Sequence, residues 1–168
     1  MSTKMIGLLA ALVVAACSPQ ADAQASATTA PANSESGSAI HPVSGLRVTP
    51  LTITAAGQVH SFDVEVAATD EEQAQGYMFR TEIGDFEGMI FPSKTPQVRS
   101  FWMKNTPLPL DIIYIGIDSR ILNIHAMTTP YSLESYASDG PAIAVLELRG
   151  GRAEELGIEP GDLVQWEE

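Results

Sequence analysis

Hydrophobic and polar positions alternate from Leu51 onwards. Leu51 and Ile53 point one way, Ala56-Gly57 interrupt, and His60, Phe62, Val64 and Val66 then recur at period two. This pattern predicts a β-hairpin. At Thr69 the period changes. Thr69-Asp70-Glu71-Glu72 reads as a capping box, with Thr69 as N-cap and Glu72 reaching back to its amide. Ala74, Tyr77 and Met78 follow at helical spacing, which predicts one short helix ending near Gly76. Beyond it come short apolar runs: "GMIFP" closed by Pro92, "VRSFWM", "DIIYIGI", "RILNIHAM", "AIAVLELR" and "LVQW". Asp118-Ser119 joins two of them as a second hairpin. Residues 128–141 read as loop, Gly150-Gly151 as a break, and "RAEELGI" as one helical turn. Seven or eight short strands with one short helix predict a mainly β fold, a compact antiparallel sandwich or barrel. A parallel α/β sheet would need a helix in each crossover, and the pattern lacks them.

The hydrophobic pattern before residue 46 is of another kind. One lysine precedes an apolar run from Met5 to Ala16. A membrane-spanning helix needs ~20 residues, so this run fits a secretory signal instead. It ends in Val14-Ala15-Ala16-Cys17, which resembles a bacterial lipobox. That resemblance implies cleavage before Cys17 and lipid on its sulfur and new amino group. Cys17 is the only cysteine, so no internal disulfide can form. Several acyl chains would hold the protein stably on a bilayer. Ser18 stands where an aspartate would signal retention at the inner membrane, so the expected location is the envelope, periplasm-facing and at the outer membrane. Residues 18–45 are nearly all small or polar and cannot bury enough surface to offset their ordering entropy. The expected organisation is a signal peptide over 1–16, a lipidated cysteine and flexible linker over 17–45, and one domain over 46–168.

Charge narrows the partners. There are 21 Asp and Glu against 9 Lys and Arg. Loss of Lys4 with the signal leaves 8 − 21 = −13. No clustered positive surface is visible, which argues against nucleic acid. The expected partners are the membrane, through the anchor, and a small polar ligand or an envelope protein.

The blocks "EEQAQGYMFR", "EGMIFP", "FWMKNTPLPLDIIYI", "ILNIHAMTTP", "AVLELRGG" and "LGIEPGDLV" follow the order and spacing of one bacterial and archaeal family, domain of unknown function 192. The chain resembles that family over about residues 50–166. It departs at Tyr77, where many members carry leucine. The resemblance implies a compact, jelly-roll-like domain and supplies no biochemical function.

Candidate chemistry must therefore come from residues. His41 lies in the linker, and His60 and His125 sit singly in strands without a nearby ligand at metal spacing, so no metal site is expected. No nucleophile elbow, phosphate-binding loop or cofactor motif is present. What remains is a set of polar residues inside apolar blocks: Arg80, Lys104, Asn105, Asp111 and Glu147, with Trp102 beside them. Glu147, in mid-strand, would need a cationic partner such as Arg80 or Lys104 if its face is covered. These residues form either a charged pocket or a structural ion network. Pro107 and Pro109 stiffen the turn that carries Lys104, Asn105 and Asp111. Trp102 either stacks on a sugar or fills the core. Two functions stay open: a non-catalytic module binding a small polar or saccharide ligand or a protein, and a hydrolase using Asp111 and Glu147 as an acid/base pair.

Overall fold

A computed structural model describes residues 39–167. The chain order is β1 (Val48–Ala55), β2 (Gln58–Val66), α1 (Asp70–Gln75), β3 (Glu87–Gln97), β4 (Ser100–Phe101), β5 (Leu110–Gly116), β6 (Ile121–His125), β7 (Tyr136–Ala137), β8 (Ala142–Arg149), α2 (Arg152–Leu156) and β9 (Leu163–Trp166). Seven strands form one curled sheet in the order β6-β5-β8-β3-β2-β1-β9, and β4 pairs with β7 as a separate ribbon. The two edges of the large sheet meet at one end. There the Ile121 N–H donates to the Asp162 carbonyl at 3.0 Å and the Val164 N–H to the Ser119 carbonyl at 2.8 Å. The fold is thus mainly β and half-closed into a barrel. Among the described residues no helix is long and apolar enough to cross a membrane.

The concave face holds Leu51, Ile53, Phe62, Val64, Ile90, Ile113, Ile115, Leu146 and Leu148. The convex face of the central strands is also covered. Met89, Phe91, Ile112, Tyr114 and Val145 pack there under Tyr77, Met103 and the partly buried Phe101. All seven residues of β5 are buried, which is why "LDIIYIG" shows no alternation. Glu147 and Asp111 therefore both sit in strands with two buried faces.

Local signals act where they are expected. Thr69 and Glu72 close a full capping box on α1, and the Glu72 carboxyl is held below its usual range chiefly by the Thr69 backbone amide. Ala56 and Gly57 turn β1 into β2 with φ of 48° and 77°, as a two-residue hairpin requires.

Three features differ from the sequence pattern. Pro92 does not end its strand. β3 runs on to Gln97; Pro92 still stands opposite Ala144 in the ladder with β8, and the register slips only after it, with Pro96 inside the irregularity. The sheet is mixed rather than antiparallel throughout. β2 and β3 are parallel, from Asp63 beside Glu87 to Val66 beside Ile90, and α1 lies in their crossover. Residues 39–45, assigned by composition to the linker, turn back on the domain. Ile40 bridges to Arg47, and the His41 N–H donates to the Leu46 carbonyl at 2.8 Å.

Candidate functional site

On the convex face the ladder sets Glu147 between Met89 of β3 and Ile112 of β5. Above it the chain leaves an opening of about 240 Å³ between the end of α1 and the β4 segment. Phe91 and Glu147 contribute from the sheet. Tyr77 and Met78 come from the α1 side, and Arg99, Phe101, Trp102 and Lys104 from the other. Gly76 makes this possible, because it ends α1 at φ 44°, a backbone conformation that favours glycine.

Glu147 is only 4% exposed. Burial pushes its pKa up to about 8, with no compensating hydrogen bond or cation among the described residues. A buried carboxyl without a protein partner is a costly arrangement, and one aimed into a cavity is a functional signature. Tyr77 adds a second unpartnered group: its hydroxyl is buried with no hydrogen bond among the described residues. Burial, and then the charges of Glu65 and Glu147, raise its pKa well above the usual value. Arg99 is fixed as a wall. Its guanidinium bonds to Ser93 Oγ and, at 3.0 Å, to Gln73 Oε1, while it lies 5.4 Å from the Phe101 ring centroid. Lys104 is exposed at the mouth, with its Nζ 5.1 Å from the Trp102 ring centroid. Trp102 itself is 50% exposed, so it caps the opening rather than filling the core.

The six residues singled out from sequence separate into two groups. Trp102, Lys104 and Glu147 line one cavity. Arg80, Asn105 and Asp111 do not. Arg80 is not the partner of Glu147; its Nη1 pairs with Glu65 Oε1 at 3.1 Å, and its guanidinium stacks 5.4 Å from the Tyr77 ring. Lys104 makes no ion pair with Glu147 either, which leaves the ion-network expectation for Glu147 unmet. Asn105 sits at φ 56° and its carbonyl accepts the Phe79 N–H at 2.8 Å, so it works as a turn residue.

Asp111 is fully buried. Its Oδ1 accepts the N–H groups of Met127 at 2.8 Å and Gly151 at 2.9 Å, and its Oδ2 accepts that of Ala153 at 2.8 Å. It pairs with Leu148 in the ladder, whereas Glu147 pairs with Ile112. Cross-strand partners share a face, so the two carboxyls point to opposite sides of the sheet. The acid/base pairing of Asp111 with Glu147 is not assembled.

Sequence reasoning missed Tyr77, Arg99 and Glu65. Arg99 had a signal, because it opens the same block as Phe101 and Trp102. Glu65 lies between the buried Val64 and Val66 and is itself 3% exposed, the same flanking that drew notice to Glu147. Among the described residues no three His, Cys, Asp or Glu side chains group as metal ligands. Cys17 lies outside the described residues.

Several known proteins are similar. The family model of DUF192, described as uncharacterised ACR, matches residues 51–166. A protein of unknown function from Novosphingobium aromaticivorans is 51% identical, with a TM-score of 0.76, over 79% of this chain and 94% of its own. A Sinorhizobium meliloti protein, described provisionally as a transcription regulator, is 34% identical with a TM-score of 0.70, over 72% of this chain and 95% of its own. No curated protein matches the chain.

Proposed function

For a chain that belongs to the DUF192 family over residues 51–166, we propose the role of a non-catalytic module that binds a small polar molecule in the Glu147 cavity. The observation that carries this reading is the Glu147 carboxyl itself: buried, without a protein partner, and facing a cavity with aromatic walls. Ligand sites combine a mostly apolar lining with a few placed polar groups. At about 240 Å³ the space suits a small molecule better than a saccharide chain or a protein segment. Binding is favoured over hydrolysis because Asp111, the second carboxylate such chemistry would use, is committed to three backbone amides.

A thermal-shift screen of small polar metabolites against the full chain tests this. Hits should raise the melting temperature of the wild type and lose their effect in Glu147→Gln. Hits that act equally on both proteins would place binding elsewhere.

The same proposal includes the location. The short apolar run and Val14-Ala15-Ala16-Cys17 support an exported lipoprotein held in the bacterial envelope, facing the periplasm and sorted to the outer membrane. Cys17→Ala should move the protein out of the membrane fraction or stop its processing. Mass spectrometry of the mature chain should find a lipid-modified Cys17 at the N-terminus. An unmodified terminus at another residue would overturn the anchor.

A further inference from the structure

We propose that the Glu147 cavity takes a small zwitterion, its ammonium group set on the Glu147 carboxylate and its own acidic group held by Lys104 at the mouth. This rests on the binding role proposed above and adds the chemical class of the ligand.

Size comes first. A cavity of about 240 Å³ suits a compact small molecule rather than an extended chain.

Charge decides the rest. The inner end of the cavity carries one carboxyl with no protein partner, Glu147. Tyr77, Phe91, Phe101 and Trp102 stand around the space, and such apolar walls strengthen an ion pair formed on the carboxylate. A simple cation fits the inner end but not the approach. Arg99 and Lys104 also line the cavity, and both repel it. A simple anion meets Lys104 at the mouth, but it brings no cation to the Glu147 carboxyl at the inner end. Arg99 is already occupied by Ser93 and Gln73. Lys104 is exposed, rests only on the Trp102 ring, and forms no ion pair among the described residues. The cavity therefore offers one uncommitted acid within and one uncommitted cation outside. A molecule with an ammonium at one end and an acid at the other satisfies both.

Protons should move with the ligand. Glu147 must be ionised to hold an ammonium group, and burial keeps it protonated up to about pH 8 in the empty protein. The groups facing it are Tyr77 from the α1 side, Tyr114 from β5, and Arg99 and Lys104 from the β4 side; the Glu65–Arg80 pair lies beyond Tyr77. Burial, and then the charge of Glu147, raise the Tyr114 pKa from its ordinary value, as burial and nearby carboxylates do for Tyr77. Neither phenol gives up its proton at neutral pH. Glu147 is thus the group that releases one on binding. Affinity should rise as pH rises towards 8 and level off above it. Between pH 6 and pH 8 the ionised fraction grows about fiftyfold for a pKa of about 8, and the Kd should tighten by that factor.

Isothermal titration of the full chain tests the proposal. The probes are glycine, β-alanine, γ-aminobutyrate, L-alanine and L-serine, with butylamine and butyrate as single-charge controls. At least one zwitterion should bind, with each control at least tenfold weaker. Its Kd should tighten with pH as stated, and buffers of different ionisation heat should show proton release. Lys104→Ala should weaken the zwitterion and leave butylamine unchanged or stronger. If butylamine binds as tightly as any zwitterion, or Lys104→Ala has no effect on zwitterion binding, the ligand class is wrong while the cavity role stands. If no zwitterion binds but other polar compounds do, and Glu147→Gln abolishes them, the class is again wrong and the cavity role again stands. If Glu147→Gln alters the binding of no compound at all, both proposals fall.

Discussion

Glu147→Gln should make the domain more stable at neutral pH, by roughly 3 kcal/mol at pH 7. Below pH 4.5 the folded and unfolded chains both hold the Glu147 proton, and the carboxyl has no net effect. Between 4.5 and about 8 the unfolded chain has released the proton and the folded chain has not. The unfolded state then binds fewer protons, so stability falls as pH rises. Above about 8 the loss is complete. Glutamine resembles the protonated acid in shape and does not titrate, so it removes this slope. Urea unfolding of both proteins at pH 4, 6 and 8 would measure it. The two curves should nearly meet at pH 4 and diverge as pH rises. Curves that stay parallel across that range would show that the folded protein does not hold the proton. A buried residue that weakens the empty fold is what a binding group looks like, and a cationic partner that ionises it would reverse the loss.

Asp111→Ala should have the opposite sign and at least equal size. The carboxylate satisfies three backbone donors, from Met127, Gly151 and Ala153, in a fully buried position. Leaving such donors without an acceptor costs about 1–3 kcal/mol each, and the losses overlap. We expect roughly 3–5 kcal/mol in chemical denaturation. Asp111→Asn keeps one carbonyl acceptor and should lose less. A loss below about 1 kcal/mol for the alanine variant would mean that the three segments hold together without Asp111. The adjoining Gly150 shows why so much meets at this point. A side chain there would lie 2.9 Å from Pro109, whose carbonyl accepts the Gly150 N–H at 3.0 Å. The proline turn and the double-glycine turn are thus fitted against each other, with Asp111 as the tie.

The pair Asp111 and Glu147 also shows which parts of the molecule were legible in the sequence. Elements set by neighbours in the chain could be read directly. The Thr69–Glu72 capping box, the helix end at Gly76 and the Ala56-Gly57 hairpin turn all depend on residues within a few positions of one another. Face assignment within one strand was also readable, since Val145 and Glu147 share one side and Leu146 and Leu148 the other. The relation between strands was not. Whether Asp111 or Ile112 lies beside Glu147 is decided by a register between segments some 35 residues apart (147 − 112 = 35), and a slip of one residue exchanges the faces. The cation for Glu147 failed for the same reason. Arg80 had a nearer acid in Glu65, on a strand whose parallel pairing with β3 no local pattern announces. The strand that continues past Pro92 was hidden differently. A proline normally ends a ladder, whereas Pro92 keeps its place opposite Ala144 and the register slips only beyond it.

The last strand has a consequence for how the chain reaches this state. β9 joins Leu51 of β1 to Trp166, 115 positions further along (166 − 51 = 115). Closing a loop of that length costs about 3 kcal/mol more entropy than closing one of a few residues. The return comes only when β9 exists. On the ribosome, the β1–β2 and β5–β6 hairpins can form as they emerge, but the seam between β9, β1 and the start of β6 cannot. Until β9 has emerged, β1 presents an unpaired edge, the kind of surface that chaperones cover and that aggregates if they do not. Closure of the barrel is thereby coupled to the emergence of β9.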